Sequence, residues 1–267
     1  MKSIQRLTIF TAIGIIVTLS DNARAVSYTI NNSTADAFLS GAYPTLNFGA
    51  AGTLAIAPAS SPKGEFDSVV MFNTANAINQ FNATYGAGNW AISGVTLSLA
   101  SNFGTQGTQP NNNIFNTINA GNFGIDWLVN NSWVEGTGGG MGSANGAVSF
   151  NSIPSLLAPG YDPLGTYTCT PPGNNVYANY SLGLDAGLVS DVEAGGAVSL
   201  YFFAADNQVS YLFNSKEFAS NHPELTLTAV AVPEPATVTM WAAALCGLFD
   251  FTQRLWKKRF AKVSGCQ

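Results

Sequence analysis

The chain has 267 residues, of which only 9% are charged, and a formal net charge of −5. Of its ten Lys and Arg residues, three lie before residue 26 (Lys2, Arg6, Arg24) and five after 250 (Arg254, Lys257, Lys258, Arg259, Lys262), which leaves Lys63 and Lys216, against twelve carboxylates between Val26 and Val232. A middle stretch near −10 excludes nucleic acid as a partner, because phosphate binding needs clustered Lys and Arg.

Residues 1–25 read as a secretory signal peptide. Lys2 and Arg6 give a positive start, Leu7 to Leu19 an apolar core, and Ala23-Arg24-Ala25 a cleavage site with small residues at Ala23 and Ala25. The apolar core is shorter than the roughly 20 residues a spanning helix needs, so removal is expected and the mature chain starts at Val26.

Residues 26–230 form the ectodomain. Helix-period apolar runs occur only at the two ends of the chain, whereas this middle part repeats period-two alternation, the mark of half-buried strands. Val95, Leu97 and Leu99 share one face of "SGVTLSLAS", as do Phe123, Ile125, Trp127 and Val129 in "NFGIDWLVN". Val198, Leu200 and Phe202 repeat the pattern, and so do Leu225 and Leu227. Turn-rich stretches such as "GTQGTQPNNN" separate them. The fold class expected is all-β, an antiparallel, jelly-roll-like β-sandwich, with one core and no βαβ rhythm.

Several residues stand out for their chemistry. Trp133 and Glu135 set an aromatic beside a carboxylate, a pairing suited to stacking on a sugar and bonding its hydroxyls, with burial of the Trp as the structural alternative. Asp36, near the first strand, would suit a calcium site of oxygen ligands, although no EF-hand spacing accompanies it. Glu65 and Asp67 share one strand face and read as solvated. "GTGGGMG" lacks the ending of a phosphate-binding loop and reads as flexible. His222 is the one His and precedes Pro223; Cys169 is the one Cys before the tail, expected exposed or half-buried. One His and two Lys leave few general bases, so no enzyme and no catalytic residue is expected.

Three stretches of this middle part, "ADAFLSGAYPTLNFGAAGTLAI", "NSWVEGTGGG" and "YLFNSKEFASNHPELTLTA", resemble in order the DNRLRE-type domain, a β-sandwich module of secreted proteins. The resemblance covers most of residues 35–229 and implies polysaccharide as a possible ligand. It also implies that Lys216 and Glu217, standing where the family has Arg-Glu, form a structural ion pair closing the last hairpin, with ligand contact as the alternative.

The tail, residues 231–262, holds Pro233-Glu234-Pro235, an apolar span at about 236–253, and a basic end at 254–262. Two prolines in three residues keep the motif extended. Arg254, Lys257, Lys258 and Arg259 orient the span with its basic end in the cytoplasm, and Asp250 can pair with Arg254 one helical turn on. This three-part order closely resembles the PEP-CTERM sorting signal of Gram-negative bacteria. That resemblance implies export by the general secretion machinery, processing by exosortase, and a membrane-anchored precursor passing to the cell surface or matrix. A non-catalytic surface protein associated with polysaccharide is the expected function; a polysaccharide hydrolase or lyase, or a passive surface-layer component, is the alternative.

Overall fold

A computed structural model describes residues 24–102, 121–170 and 173–232. The apolar core of the leader, Ala23, the Pro233-Glu234-Pro235 motif, the span at 236–253 and the cations Arg254, Lys257, Lys258 and Arg259 lie outside the described residues. Among the described residues no helix is long and apolar enough to cross a membrane.

Two antiparallel sheets face each other across one core. The four-stranded sheet has the order β1 (Val26–Ile30), β11 (Glu224–Ala231), β5 (Trp90–Ala100), β8 (Tyr177–Leu182). The five-stranded sheet runs β2 (Ala35–Ser40), β4 (Phe66–Asn73), β9 (Ala197–Ala204), β6 (Phe123–Leu128), β7 (Tyr161–Tyr167). A short ladder of β3 (Thr53–Ile56) with β10 (Tyr211–Asn214) stands apart. The alternation visible in the sequence selects the inner faces: Val95, Leu97, Leu99, Leu225 and Leu227 from one sheet meet Phe123, Ile125, Val198, Leu200 and Phe202 from the other. Each is removed from water, which drives the sheets together at about 25 cal/mol per Å² of apolar surface.

Val129 departs from the expected pattern, because β6 ends at Leu128 and leaves it 43% exposed. Every residue of β6 is buried, since the outer face of its sheet is also covered. A satellite cluster of Leu39, Val69, Leu128, Val148, Leu156 and Tyr201 lies there, under the 3-10 turn Phe150–Ser152 and the short helix α2 (Ile153–Leu157).

The absence of helix-period runs from the middle of the chain predicts only strands and turns, yet α1 (Ala75–Tyr85) and α3 (Ala186–Glu193) are helices. Three asparagines in α1, Asn76, Asn79 and Asn82, lower its intrinsic propensity. Burial of Ala77, Ile78 and Phe81 against the core outweighs that cost. Helix α3 is capped by Asp185, whose carboxylate accepts the Gly187 N–H at 2.6 Å.

Cys169 is fully buried, which corrects the expectation of an accessible thiol. It faces Tyr180 and Tyr211 in the core, and burial pushes its thiol up to about 12.

Candidate functional site

Residues singled out at three separate places in the sequence meet in one place. Asp36 lies at the start of β2, Glu135 in the loop after β6, and Lys216 and Glu217 follow β10. The Asp36 N–H donates to Glu135 Oε1 at 2.8 Å, and the Lys216 N–H donates to Asp36 Oδ2 at 2.8 Å. Ser33 Oγ donates to the same Asp36 oxygen at 2.7 Å. Lys216 Nζ lies 2.9 Å from Glu135 Oε2 and also donates to Glu217 Oε1. Ser215 Oγ fixes the other Glu217 oxygen at 3.0 Å. Lys216 therefore pairs with Glu217, as the sequence suggests, and also with a glutamate 81 residues away.

Backbone packing brings Glu135 to this position. The Asn47 side chain donates to the carbonyls of Glu135 and Val148, and its Oδ1 accepts the N–H of Gly49 and Gly138 at 3.2 and 3.1 Å. A Cβ at Gly49 would lie 2.3 Å from the Glu135 carbonyl oxygen, and one at Gly138 would lie 1.8 Å from the Asn47 carbonyl oxygen. Gly138 of "GTGGGMG" thus serves close backbone approach, and the loop is clamped onto Asn47 instead of hanging free as its composition suggests.

The electrostatics follow from burial. Asp36 is fully enclosed, and burial lifts its carboxyl to about 7, aided by repulsion from Glu217 and Glu135 and opposed by its hydrogen bonds from Ser33 and Lys216. Burial also raises Glu135, against hydrogen bonds from Asp36 and Lys216. For Lys216, burial favours loss of the proton, but hydrogen bonds to Glu217 and Glu135 outweigh it and hold the ammonium above its ordinary value.

Asp36, Glu135 and Glu217 each bring one carboxylate oxygen within 4.8 Å of the others. Calcium takes six to eight oxygens. Three side chains supply part of that set, and the Lys216 ammonium already stands on two of them. Asp36 Oδ1 is buried without a partner.

Trp133 sits differently from its neighbour Glu135. Its indole N–H donates to Ser199 Oγ at 3.0 Å, and its ring packs, half-buried, on the satellite cluster over the five-stranded sheet. Packing engages the ring that a sugar would stack on.

A second buried acid escapes the sequence. Asp67 is only 2% exposed, which corrects the solvated reading of Glu65 and Asp67. Tyr201 donates to Asp67 Oδ2 at 2.6 Å; burial, with repulsion from Glu65, raises the Asp67 carboxyl to about 7. Asp126, on the strand beside Tyr201, rises to about 6 through burial and repulsion from Asp162. His222 lies in the turn before β11, and its backbone carbonyl accepts the Tyr177 hydroxyl at 2.9 Å.

No family model matches the chain, and no curated protein is similar to it.

Proposed function

We propose that this is an exported, non-catalytic protein of the cell surface or extracellular matrix. The general secretion machinery carries it out, exosortase sorts it through Pro233-Glu234-Pro235, and it associates with polysaccharide. The observation carrying this reading is where the fold begins and ends. Strand β1 starts at Val26, immediately after the cleavage site around Ala25, and β11 ends at Ala231. The Val232 N–H bonds to the Asn89 carbonyl at 2.9 Å, and Pro233 follows. Both ends leave one end of the sandwich, because Val26 pairs with Ala229. A processing enzyme would meet the motif directly after the last strand of the sandwich. The Lys216 cluster would face away from the membrane, since Lys216 lies in the connection entering β11 at its opposite end.

The internal neutralisation of Glu135 and Glu217 by Lys216 supports a structural over a hydrolytic role for these acids. With Trp133 packed inward, the stacking surface for a glycan passes to Tyr43 and Tyr161, 60% and 52% exposed. An acidic ectodomain suits a neutral glycan, or an acidic one bridged by calcium.

Deleting residues 231–267 is expected to release the domain into the medium, with mass spectrometry showing a mature terminus at Val26. Continued retention at the membrane, or an intact Met1 terminus, would overturn the sorting assignment. A glycan array run with and without chelator tests the ligand.

A further inference from the structure

Four strands edge the two sheets of the sandwich, and three of them carry a feature that keeps a further strand from pairing. On β2 the Asp36 N–H is taken by Glu135 Oε1, and Phe38 bridges to Phe48. On β7 Pro163 stands beside a shift of register against β6. Strand β8 is tied to β7 of the facing sheet: the Tyr167 hydroxyl donates to the Ser181 carbonyl at 2.6 Å, and the Gly183 N–H to the Leu164 carbonyl at 2.7 Å. Strand β1 has no charge, no proline and no bulge. Among the described residues nothing bonds to its outer backbone edge; the Tyr85 hydroxyl donates to the Arg24 carbonyl, before the strand begins.

The side chains of β1 are as open as its backbone. Val26, Tyr28 and Ile30 pack on the core yet stay half-buried, while Ser27 and Thr29 are exposed. The order of the residues selects the partner. Val-Ser-Tyr-Thr-Ile reads alike in both directions: β-branched, hydroxyl, aromatic, hydroxyl, β-branched. Laid antiparallel on a copy of itself about a twofold axis at Tyr28, the strand sets Tyr28 opposite its counterpart, Ser27 opposite Thr29 and Val26 opposite Ile30, like facing like. The same hydroxyl pairing already occurs on the other side of the strand, where Ser27 meets Thr228 and Thr29 meets Thr226, each at 2.8 Å. Charge points the same way. The ectodomain is near −10, so its copies repel one another, but β1 and these two threonines are neutral and form an edge at which copies can approach.

We propose that β1 is a pairing edge on which two copies of this chain join, antiparallel, into one continuous sheet ordered β8-β5-β11-β1-β1-β11-β5-β8. Both outer edges of that sheet are the tied β8 strands, so growth stops at two copies. The two copies of β11 end at opposite ends of the joined sheet, so the pair suits chains released from a membrane and not two chains anchored side by side in one. The pairing itself rests on neither the sorting nor the polysaccharide association proposed above.

The test is disulfide trapping in the full chain, purified in detergent, with Cys246 and Cys266 replaced by serine and the buried Cys169 left in place. Opposed Cα atoms of an antiparallel pair lie about 5 Å apart, within reach of a disulfide, whereas Ser27 and its own counterpart would lie roughly 8 Å apart, beyond it. Tyr28→Cys alone should therefore give a covalent dimer under mild oxidation. Ser27→Cys alone and Thr29→Cys alone should not, but an equal mixture of the two should. Sedimentation of the native chain should show a monomer–dimer equilibrium with a Kd on the order of 10–100 μM, as suits a narrow interface. Ser27→Lys with Thr29→Lys sets lysine opposite lysine and should weaken it at least about tenfold, whereas Ser27→Lys with Thr29→Glu sets opposite charges together and should not. Both positions are exposed, so these variants keep the fold. A native chain that stays monomeric well above this concentration would overturn the proposal and leave the edge to another protein's strand or another segment of this chain. So would Ser27→Cys alone linking as fast as the mixture, or equal affinity of the two charge variants.

Discussion

Lys216 Nζ stands 2.9 Å from Glu135 Oε2 and ties the connection entering the last strand to the loop that follows β6. Its side chain is 22% exposed and that of Glu135 18%, so solvent screens the pair only in part. Two glutamates share this ammonium, and Asp36 accepts from the Lys216 backbone. Removing the cation leaves like charges facing one another in a confined space. Lys216→Met should therefore destabilise the domain by about 2 kcal/mol, between the values for exposed and buried pairs. Adding Glu135→Gln should recover part of that loss, and denaturant titration of the four corners of the cycle measures the coupling. Additive losses would show that the two side chains do not interact.

Gly49 gives a sharper steric prediction. A methyl group there meets both the carbonyl oxygen and the Cγ of Glu135. Gly49→Ala should cost more than about 2 kcal/mol, because backbone must move. Gly139→Ala, whose nearest contact is the Ala50 carbonyl at 3.8 Å, should stay within about 0.5 kcal/mol of the native protein. Equal effects of the two substitutions would remove the close-approach argument.

The buried acids predict a pH dependence of stability. Asp36 and Asp67 titrate near 7 and Asp126 near 6 in the folded protein, all above the roughly 3.9 of an unfolded aspartate. The folded state holds these protons more tightly, so their contribution is fully present below about pH 4 and is lost as pH rises through 6 to 7. Thermal melts should show Tm falling across that window. Asp67→Asn keeps an acceptor for Tyr201 and removes one titration, so it should raise Tm at pH 8 relative to the native protein and flatten the slope. A Tm profile identical to that of the native protein would contradict the assignment to Asp67.

Cys169 should resist iodoacetamide in the folded protein, since burial both encloses its thiol and pushes it up to about 12. Peptide mass spectrometry should find it alkylated only after denaturation. Rapid labelling of the native protein would show that the core opens around it.

Antiparallel sheets and their inner faces were legible in the local pattern, because side chains alternate along a strand and a one-residue slip would turn Leu97 or Leu200 into water. The sequence also marked Asp36, Glu135 and the Lys216–Glu217 pair at three separate places, through carboxylate chemistry, an aromatic neighbour and motif resemblance. Only the tertiary structure joined them, since contacts across 99 and 180 residues depend on strand order and loop path, which no local period encodes. The same limit explains Asp67: its alternation is legible, but the covering of its face by residues 148–157 is a property of the folded chain. Helix α1 and the clamped glycine loop were hidden for a related reason. Asparagines and glycines carry weak local preferences, and burial of Ile78 and Phe81 in the core, or closure of the loop around Asn47, decides their conformation.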